Sequence, residues 1–185
     1  KKTNIVYQDF MKVDLNQYVD KTTPIHIIAN IPYYITTPII EHIIDMNLNV
    51  VDMTLMVQEE VADRLSSNPG NKEYGYITAY LNYYFKINKL FNVDKRFFEP
   101  IPKVDSAVIQ LVRRERKNTV QSEKNLSKFL KDAFQFKRKN LRNNLRNYDL
   151  NVISEILKTY GYDLSNRAED INIDIFIDII NKITN

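Results

Sequence analysis

Residues 25–46 read IHIIANIPYYITTPIIEHIIDM and decide the fold. The near-continuous apolar run that ends at Asn30 is typical of a strand buried on both faces, as in a parallel sheet. Pro32 lacks the N–H that a central strand needs, so the strand ends before it. Thr37-Pro38 is typical of an N-cap and first helical residue, and a helix is predicted from there to about Met46. The stretch predicts a strand–turn–helix unit.

Further strands and helices alternate on either side of this unit. Strands are predicted at Asn4–Gln8, Met53–Val57, Lys86–Val93 and Val104–Arg113, and helices at Gln58–Ser66 and Tyr76–Phe85. We expect the last two strands to pair antiparallel around the proline-bearing Phe97–Lys103. Such alternation favours an α/β fold with one layered sheet, and we assign it to residues 1–118.

The character of the sequence changes after about Arg116. Lys117–Glu123 is polar and is predicted to be a linker. Four segments with helical periodicity follow, at Leu126–Phe136, Lys137–Arg146, Asn151–Tyr160 and Asn172–Ile183. Gly161 is a suitable C-cap residue after the third of them. Residues 119–185 are therefore predicted to form a small all-α domain.

Composition limits the classes of protein that the chain can represent. The 185 residues are 44% hydrophobic and 26% charged, which predicts a buried core. The absence of cysteine excludes disulfides and thiolate metal sites, and two histidines make a histidine metal cluster unexpected, so no metal is predicted. No apolar run reaches the roughly 18 residues that span a membrane. We expect a cytoplasmic protein without a membrane partner.

The tetrapeptide Asn30-Ile31-Pro32-Tyr33 is the main candidate for chemistry. It follows a predicted buried strand, and ligands of open parallel sheets bind outside such strand ends. The arrangement suits methylation of an exocyclic amine, because the Asn30 side-chain oxygen and the Ile31 carbonyl can accept from its two N–H groups. Pro32 stiffens the turn, and Tyr33 offers a face on which an extruded base can stack. An ordinary strand–turn–helix connection is the alternative.

A basic segment is the candidate for binding an anionic partner. Its cationic residues are Lys137, Arg138, Lys139, Arg142 and Arg146. In the predicted helix, the three arginines are spaced four apart and share one face. Leu141 and Leu145 lie on an adjacent face and can anchor the helix. Such a stripe suits contacts with phosphates, and an ordinary solvated basic face is the alternative.

Five segments resemble, in the same order, the rRNA adenine N6,N6-dimethyltransferase family. They are Asn30–Ile40 (NIPYYITTPII), Val57–Leu65 (VQEEVADRL), Phe97–Val108 (FFEPIPKVDSAV), Phe134–Leu145 (FQFKRKNLRNNL) and Arg167–Phe176 (RAEDINIDIF). The last two resemble the kasugamycin-resistance type, which is the bacterial small-subunit enzyme. The resemblance covers almost the whole chain. It implies a Rossmann-like sheet that uses S-adenosylmethionine, here without its first strands, followed by the helical domain.

The resemblance also implies roles for individual residues. Asn30, Ile31, Pro32 and Tyr33 match the catalytic motif, and Phe98 matches an aromatic residue that closes over the other face of the target base. The residues expected to contact the donor are Asp9, Phe10 and Asn30. Lys103 and the five basic residues named above are expected to contact RNA.

The donor site expected from the resemblance is incomplete in this sequence. Family members begin with a glycine-rich loop, and the only glycines here, Gly70, Gly75 and Gly161, do not form one. We expect these 185 residues alone to be inactive, and the complete protein to act as a monomer on immature small ribosomal subunits.

The implied reaction is dimethylation of N6 on two adjacent adenines near the 3′ end of small-subunit rRNA, with a role in subunit maturation. Two alternatives remain open at this point. One is a large-subunit rRNA adenine methyltransferase of the antibiotic-resistance branch. The other is a small-subunit assembly factor without catalytic activity.

Overall fold

A four-stranded mixed sheet forms the centre of the first part of the chain. The computed structural model describes residues 3–115 and 119–183. The strands are β1 (Ile25–Asn30), β2 (Val50–Gln58), β3 (Phe85–Val93) and β4 (Ser106–Arg113), in the order β1-β2-β4-β3. β1 pairs parallel with β2, whereas β4 pairs antiparallel with β2 and β3. The strands β1, β2 and β3 therefore point the same way, and their carboxyl ends share one edge with the start of β4. This edge is called the carboxyl edge below.

Seven α-helices lie in the described part of the chain. They are α1 (Thr36–Asp45), α2 (Glu59–Leu65), α3 (Tyr76–Tyr84), α4 (Glu123–Ala133), α5 (Leu141–Asn144), α6 (Leu150–Thr159) and α7 (Ile173–Ile183). The predicted alternation of strands and helices and the antiparallel pairing of the last two strands are confirmed. Gly161 has a φ of 78°, as predicted for the residue that ends α6.

The strands alternate between a core face and a more open face. Met53 and Leu55 of β2 and Ile109 and Leu111 of β4 are fully buried and lie side by side, because Leu111 pairs with Met53 and Ile109 with Leu55. Their neighbours along each strand are only half-buried or exposed. A period of two in burial follows from the alternating direction of side chains on a strand.

The prediction that β1 is buried on both faces is wrong. Its residues alternate between half-buried and exposed, and Ile28 on the open face is 85% exposed. The strand lies at the edge of the described sheet and only one of its faces packs on the core. His26 also lies on the open face, where its Nδ1 is 2.7 Å from Oδ2 of Asp52 on β2.

Two predictions near the start of the chain are also wrong. Asn4–Gln8 lies outside the sheet, and Ile5 and Tyr7 are exposed. The helix predicted from Thr37 begins at Thr36 instead, after a 3₁₀ turn at Tyr33–Ile35. The proline at the third helical position fits this start, because the first four N–H groups of a helix have no partner within it.

The helices after β4 pack on α3 and on one another. The Tyr84 hydroxyl donates to Oε2 of Glu123 (2.9 Å), and Arg114 Nη2 donates to Oδ2 of Asp174 (2.5 Å). Phe129 and Phe176 are buried with ring centroids 6.1 Å apart. The helical character predicted for this part is confirmed. The predicted linker begins at Lys117, and residues 116–118 lie outside the described residues.

Candidate active site and RNA-binding surface

The candidate catalytic tetrapeptide leaves β1 at the carboxyl edge. Asn30 is the last residue of β1, pairs with Met56 and is exposed. Ile31 is buried in the core and anchors the turn. Pro32, with φ −59° and ψ 131°, precedes the 3₁₀ turn that Tyr33 begins, and its carbonyl accepts from Ile35 N–H at 3.2 Å. The buried side chain of Ile31 and the fixed φ of proline thus hold Asn30 and Tyr33 in a defined turn.

The side chain of Tyr33 is fixed by a hydrogen bond to β4, which begins at the same edge. Its hydroxyl oxygen lies 2.5 Å from Oγ of Ser106, the first residue of β4. Ser106 is fully buried, whereas Tyr33 is partly exposed. The bond fixes the outer end of the ring and leaves part of the ring accessible at the edge.

The loop between β3 and β4 lies at this edge because it joins the end of one strand to the start of the other. Asp105 fixes it at both sides: its Oδ1 accepts from Lys95 N–H at 2.9 Å, and its carbonyl accepts from Glu59 N–H at 3.0 Å. Phe98 is half-buried in this loop. Lys103 lines a cavity of about 380 Å³ with Gln58, Glu59, Glu60, Lys95, Val104 and Asp105. The topology therefore brings Phe98 and Lys103 to the edge that carries Asn30–Tyr33.

The Asp94 side chain begins the 3₁₀ turn that leads to Phe98. Its Oδ1 accepts from Arg96 N–H at 2.8 Å, and the Arg96 guanidinium donates three further bonds to the carboxylate, from Nε to both oxygens and from Nη2 to Oδ2. The side chain of Arg96 lowers the pKa of Asp94 to about 2. The carboxylate is charged at neutral pH and caps the turn.

Asp9 and Phe10 lie on a short turn against α1. Asp9 Oδ1 accepts from Met11 N–H at 3.0 Å and begins the turn. The Phe10 ring meets His42 edge-on at 5.9 Å, and His42 Nε2 donates to the Val13 carbonyl at 3.1 Å. These contacts hold the exposed Asp9 carboxylate near α1, the helix that follows the candidate motif. The described hydrogen bonds of Asp9 remain within its own turn.

The basic segment is not the continuous helix that we predicted for Lys137–Arg146. Residues 134–139 form turns, and α5 covers only Leu141–Asn144. Asn140 interrupts helix formation, because its Oδ1 accepts from Asn143 N–H at 3.1 Å and begins a new helix. Arg138, Arg142 and Arg146 therefore do not share one helical face, although all five basic side chains are exposed.

Three buried side chains hold the basic segment in place. Leu141 and Leu145 are fully buried, which confirms their predicted role as anchors. Asn144 is also buried, and its Nδ2 donates to the carbonyls of Ala133 (2.7 Å) and Phe136 (3.3 Å). The last turn of α4 and the basic turn are thereby fixed to α5.

The sequence pattern does not single out two residues, Ser106 and Phe136, that the structure places at these sites. Ser106 lies in the strand predicted at Val104–Arg113, and its partner Tyr33 is 73 positions away. Phe136 lies at the end of a predicted helix, and it is 54% exposed directly before three basic residues. An aromatic residue inside a run of lysine and arginine was the one available signal for the second.

The described residues offer neither a metal-binding cluster nor a membrane-spanning helix. No group of three or more histidine, aspartate or glutamate side chains there could hold a metal ion. None of the helices within residues 3–115 and 119–183 is long and apolar enough to cross a membrane.

Solved structures establish the class of fold. The chain superimposes on a dimethyladenosine transferase from Plasmodium falciparum with a TM-score of 0.71 at 23% identity, covering 86% of this chain and 66% of that one. It superimposes on the 23S rRNA methyltransferase ErmE with a TM-score of 0.70 at 22% identity, covering 97% and 71%. The chain has the Rossmann-like methyltransferase fold.

Sequence comparison then gives the family. The chain belongs to the ribosomal RNA adenine dimethylase family, whose model matches residues 1–185. It is 38% identical over 190 residues to ribosomal RNA small subunit methyltransferase A of Enterococcus faecalis, covering 97% of this chain and 64% of that protein. It is 41% identical over 180 residues to the Fusobacterium nucleatum protein of the same name, covering 95% and 67%. The chain thus spans about two thirds of the length of these relatives.

Proposed function

We propose that the complete protein containing this chain transfers methyl groups from S-adenosylmethionine to N6 of two adjacent adenines near the 3′ end of small-subunit rRNA. The observation that supports this most is the placement of Asn30–Tyr33 at the carboxyl edge, with Tyr33 bonded to Ser106. The family and the small-subunit names of the relatives favour the same reaction.

The proposed catalysis rests on the two acceptors that follow β1. The lone pair of an adenine N6 amine is delocalised into the ring, so the amine is a weak nucleophile. The Asn30 side-chain oxygen and the Ile31 carbonyl accept from its two N–H groups and favour a tetrahedral nitrogen. Tyr33 stacks on one face of the extruded base, and Phe98 closes over the other.

The methyl donor supplies an electrophilic carbon on a sulfonium. The amine lone pair forms the new N–C bond as the C–S bond breaks, and the methylated amine then loses its proton to water. Holding the amine in line with that carbon is the main contribution of the protein. In our proposal, Asp9, Phe10 and Asn30 contact the donor, which fits the exposed carboxylate of Asp9 and the packing of Phe10 on α1.

We assign RNA binding to Lys103 at the carboxyl edge and to the basic segment of residues 137–146. All are exposed cations, and those of the basic segment lie on a rigidly anchored turn and short helix. We further propose that residues 1–118 and 119–185 act as a methyltransferase domain and an RNA-binding domain. The complete protein would act as a cytoplasmic monomer.

The test is methyl transfer to purified ribosomal subunits that lack the modification. The complete gene product is incubated with radiolabelled S-adenosylmethionine and either small or large subunits, and the labelled adenines are mapped. We expect label only in small-subunit rRNA, at two adjacent adenines.

Each other outcome selects a different function. Label in large-subunit rRNA would assign the protein to the antibiotic-resistance branch. Binding of small subunits without any label would favour an assembly factor that does not methylate.

A further inference from the structure

A second cavity lies away from the carboxyl edge, where the α2–α3 connection meets the turn between α4 and α5. Its volume is about 310 Å³, which is within the range of ligand-binding pockets. Its wall combines cationic side chains (Arg64, Lys137, Lys139) with aromatic ones (Tyr74, Tyr76, Phe134, Phe136). This combination suits a ligand with a flat ring and a negative charge.

Phe136 is one of the residues that line this cavity. The side chain is 54% exposed, although Lys137, Arg138 and Lys139 follow it directly. The turn is closed by a hydrogen bond of 2.9 Å from Lys139 N–H to the Phe136 carbonyl, and Asn144 holds the same carbonyl. An exposed ring on a fixed turn is preorganised to stack on a base, and its neighbouring lysines can contact phosphates.

The charge at the cavity is positive on balance. Three cationic side chains line it, against Glu73 and Glu169. Glu169 is partly neutralised, since its Oε1 lies 3.5 Å from Nη1 of Arg167. The exposed Arg138 and Arg142 extend the positive surface beyond the cavity. An extended polyanion bound in the cavity would also contact Arg138 and Arg142, whereas a free nucleotide in the cavity would be too short to do so.

The cavity also has unsatisfied polar groups beneath its wall. Arg64 Nε and Asn144 Oδ1 are buried and have no hydrogen-bond partner among the described residues. One is a donor and the other an acceptor, and buried groups of this kind destabilise a protein unless they are satisfied. Both atoms are enclosed by protein, so they lie behind the cavity wall and do not contact its contents.

We propose that this cavity takes up one unpaired nucleotide of the RNA substrate, with its base stacked on Phe136 and its flanking phosphates held by Lys137 and Lys139. The proposal rests on the RNA substrate of the proposed function. Arg64 is the penultimate residue of α2, and Glu59 begins α2 at the carboxyl edge, so five steps of 1.5 Å separate these two residues by about 8 Å along the helix. This nucleotide is therefore distinct from the methylated adenine and would fix the register of the RNA strand.

The test compares the binding of a short fluorescent oligoadenylate by the complete protein and its variants. Phe136→Leu removes the ring at an exposed position and should weaken binding about 5- to 150-fold. Phe136→Tyr keeps the ring and should bind within about twofold of the unchanged protein. Phe91→Leu is the matched control, because Phe91 on β3 is 57% exposed and lies away from this cavity; it should bind like the unchanged protein.

Two further binding measurements distinguish unpaired RNA from a duplex and from a free nucleotide. The Phe136→Leu variant and the unchanged protein should bind a duplex of the same length with equal affinity, because the bases of a duplex are not free to stack on Phe136. AMP should fail to displace the oligoadenylate, because it lacks the flanking phosphates. Displacement by AMP at low concentration would overturn the RNA assignment in favour of a free nucleotide.

The proposal is overturned if Phe136→Leu binds the oligoadenylate as Phe91→Leu does, or if the unchanged protein does not bind it. This result is independent of the proposed function, since binding is measured without a methyl donor. A protein that failed to methylate but showed the Phe136 effect would retain the nucleotide site and lose the enzymatic assignment.

Discussion

The hydroxyl oxygens of Tyr33 and Ser106 lie 2.5 Å apart and join the loop after β1 to the first residue of β4. These strands are not neighbours, because β2 lies between them. The bond therefore spans the carboxyl edge and ties the candidate catalytic motif to the strand that follows the Phe98 loop. Ser106 is accordingly expected to position Tyr33 without contacting the substrate itself.

Removing either partner of this bond should slow methylation. Ser106→Ala and Tyr33→Phe each delete one hydroxyl, and a hydrogen bond of about 0.5–1.5 kcal/mol corresponds to a loss of about 2- to 13-fold in kcat. The double variant should be no slower than the slower single variant, because both changes remove the same bond. The measurement is steady-state methylation of small subunits by all four proteins.

Comparing the double variant with the two single variants shows whether Ser106 acts by positioning Tyr33 or has only a general structural role. Ser106→Thr keeps a hydroxyl and should recover part of the lost kcat. Effects that simply added in the double variant would mean that the two hydroxyls act independently, and the positioning role would be abandoned.

The exposed cations of the basic segment should strengthen RNA binding by contacting phosphates. Lys137→Gln and Arg142→Gln should each weaken RNA binding and reduce the slope of log K against log salt by about 0.7–0.9. Lys158→Gln on α6 is the control, because Lys158 is also exposed but lies outside the segment. Titrations at several salt concentrations measure the slopes, and equal slopes in all three variants would contradict this surface.

Asn144 should link stability to RNA binding. Asn144→Ala removes a buried side chain that donates to the carbonyls of Ala133 and Phe136. Leaving these carbonyls unsatisfied should lower the free energy of unfolding by about 1–3 kcal/mol, and the loosened turn should bind RNA more weakly. Urea unfolding and RNA titration are the two measurements; Asn143→Ala, at an exposed neighbour, should affect stability much less.

Tyr74 should make the protein sensitive to alkali. Burial raises the pKa of Tyr74 from 10.0 to about 12. Between these values the unfolded chain loses the phenol proton while the folded protein keeps it, so stability falls as pH rises, by up to about 1.4 kcal/mol per pH unit. Below pH 10 the contribution is fully present.

The matched variant for this effect is Tyr74→Phe, which retains the buried ring. Its free energy of unfolding should decline less steeply between pH 10 and pH 12 than that of the unchanged protein. Denaturant unfolding at a series of pH values measures both curves, and parallel curves would show that Tyr74 does not titrate across this window.

Local patterns in the sequence predicted much of the fold. The apolar runs before Asn30 and at Met53–Val57 and the glycine after α6 each depend on neighbouring residues alone, and the predictions of β1, of β2 and of the end of α6 were confirmed. The family resemblance implied the Rossmann-like sheet and the helices after it, because it covers nearly the whole chain.

The predictions that failed depend on contacts between distant segments or on competing local bonds. Ile28 is as apolar as its neighbours, so the pattern could not show that one face of β1 is open. The basic stripe fits helical spacing, but the side chain of Asn140 bonds to the backbone and starts a new helix there. The Tyr33–Ser106 bond joins residues 73 positions apart and leaves no local signal.

The central claim is that Asn30 is a catalytic residue of an adenine N6 dimethyltransferase. Small subunits are incubated with S-adenosylmethionine and either the unchanged complete protein or Asn30→Ala, and the rRNA nucleosides are quantified by mass spectrometry while subunit binding is measured in parallel. We expect dimethyladenosine with the unchanged protein and at least about a hundredfold less with Asn30→Ala, which should bind subunits equally well. Dimethylation by Asn30→Ala at the unchanged rate would contradict the assignment.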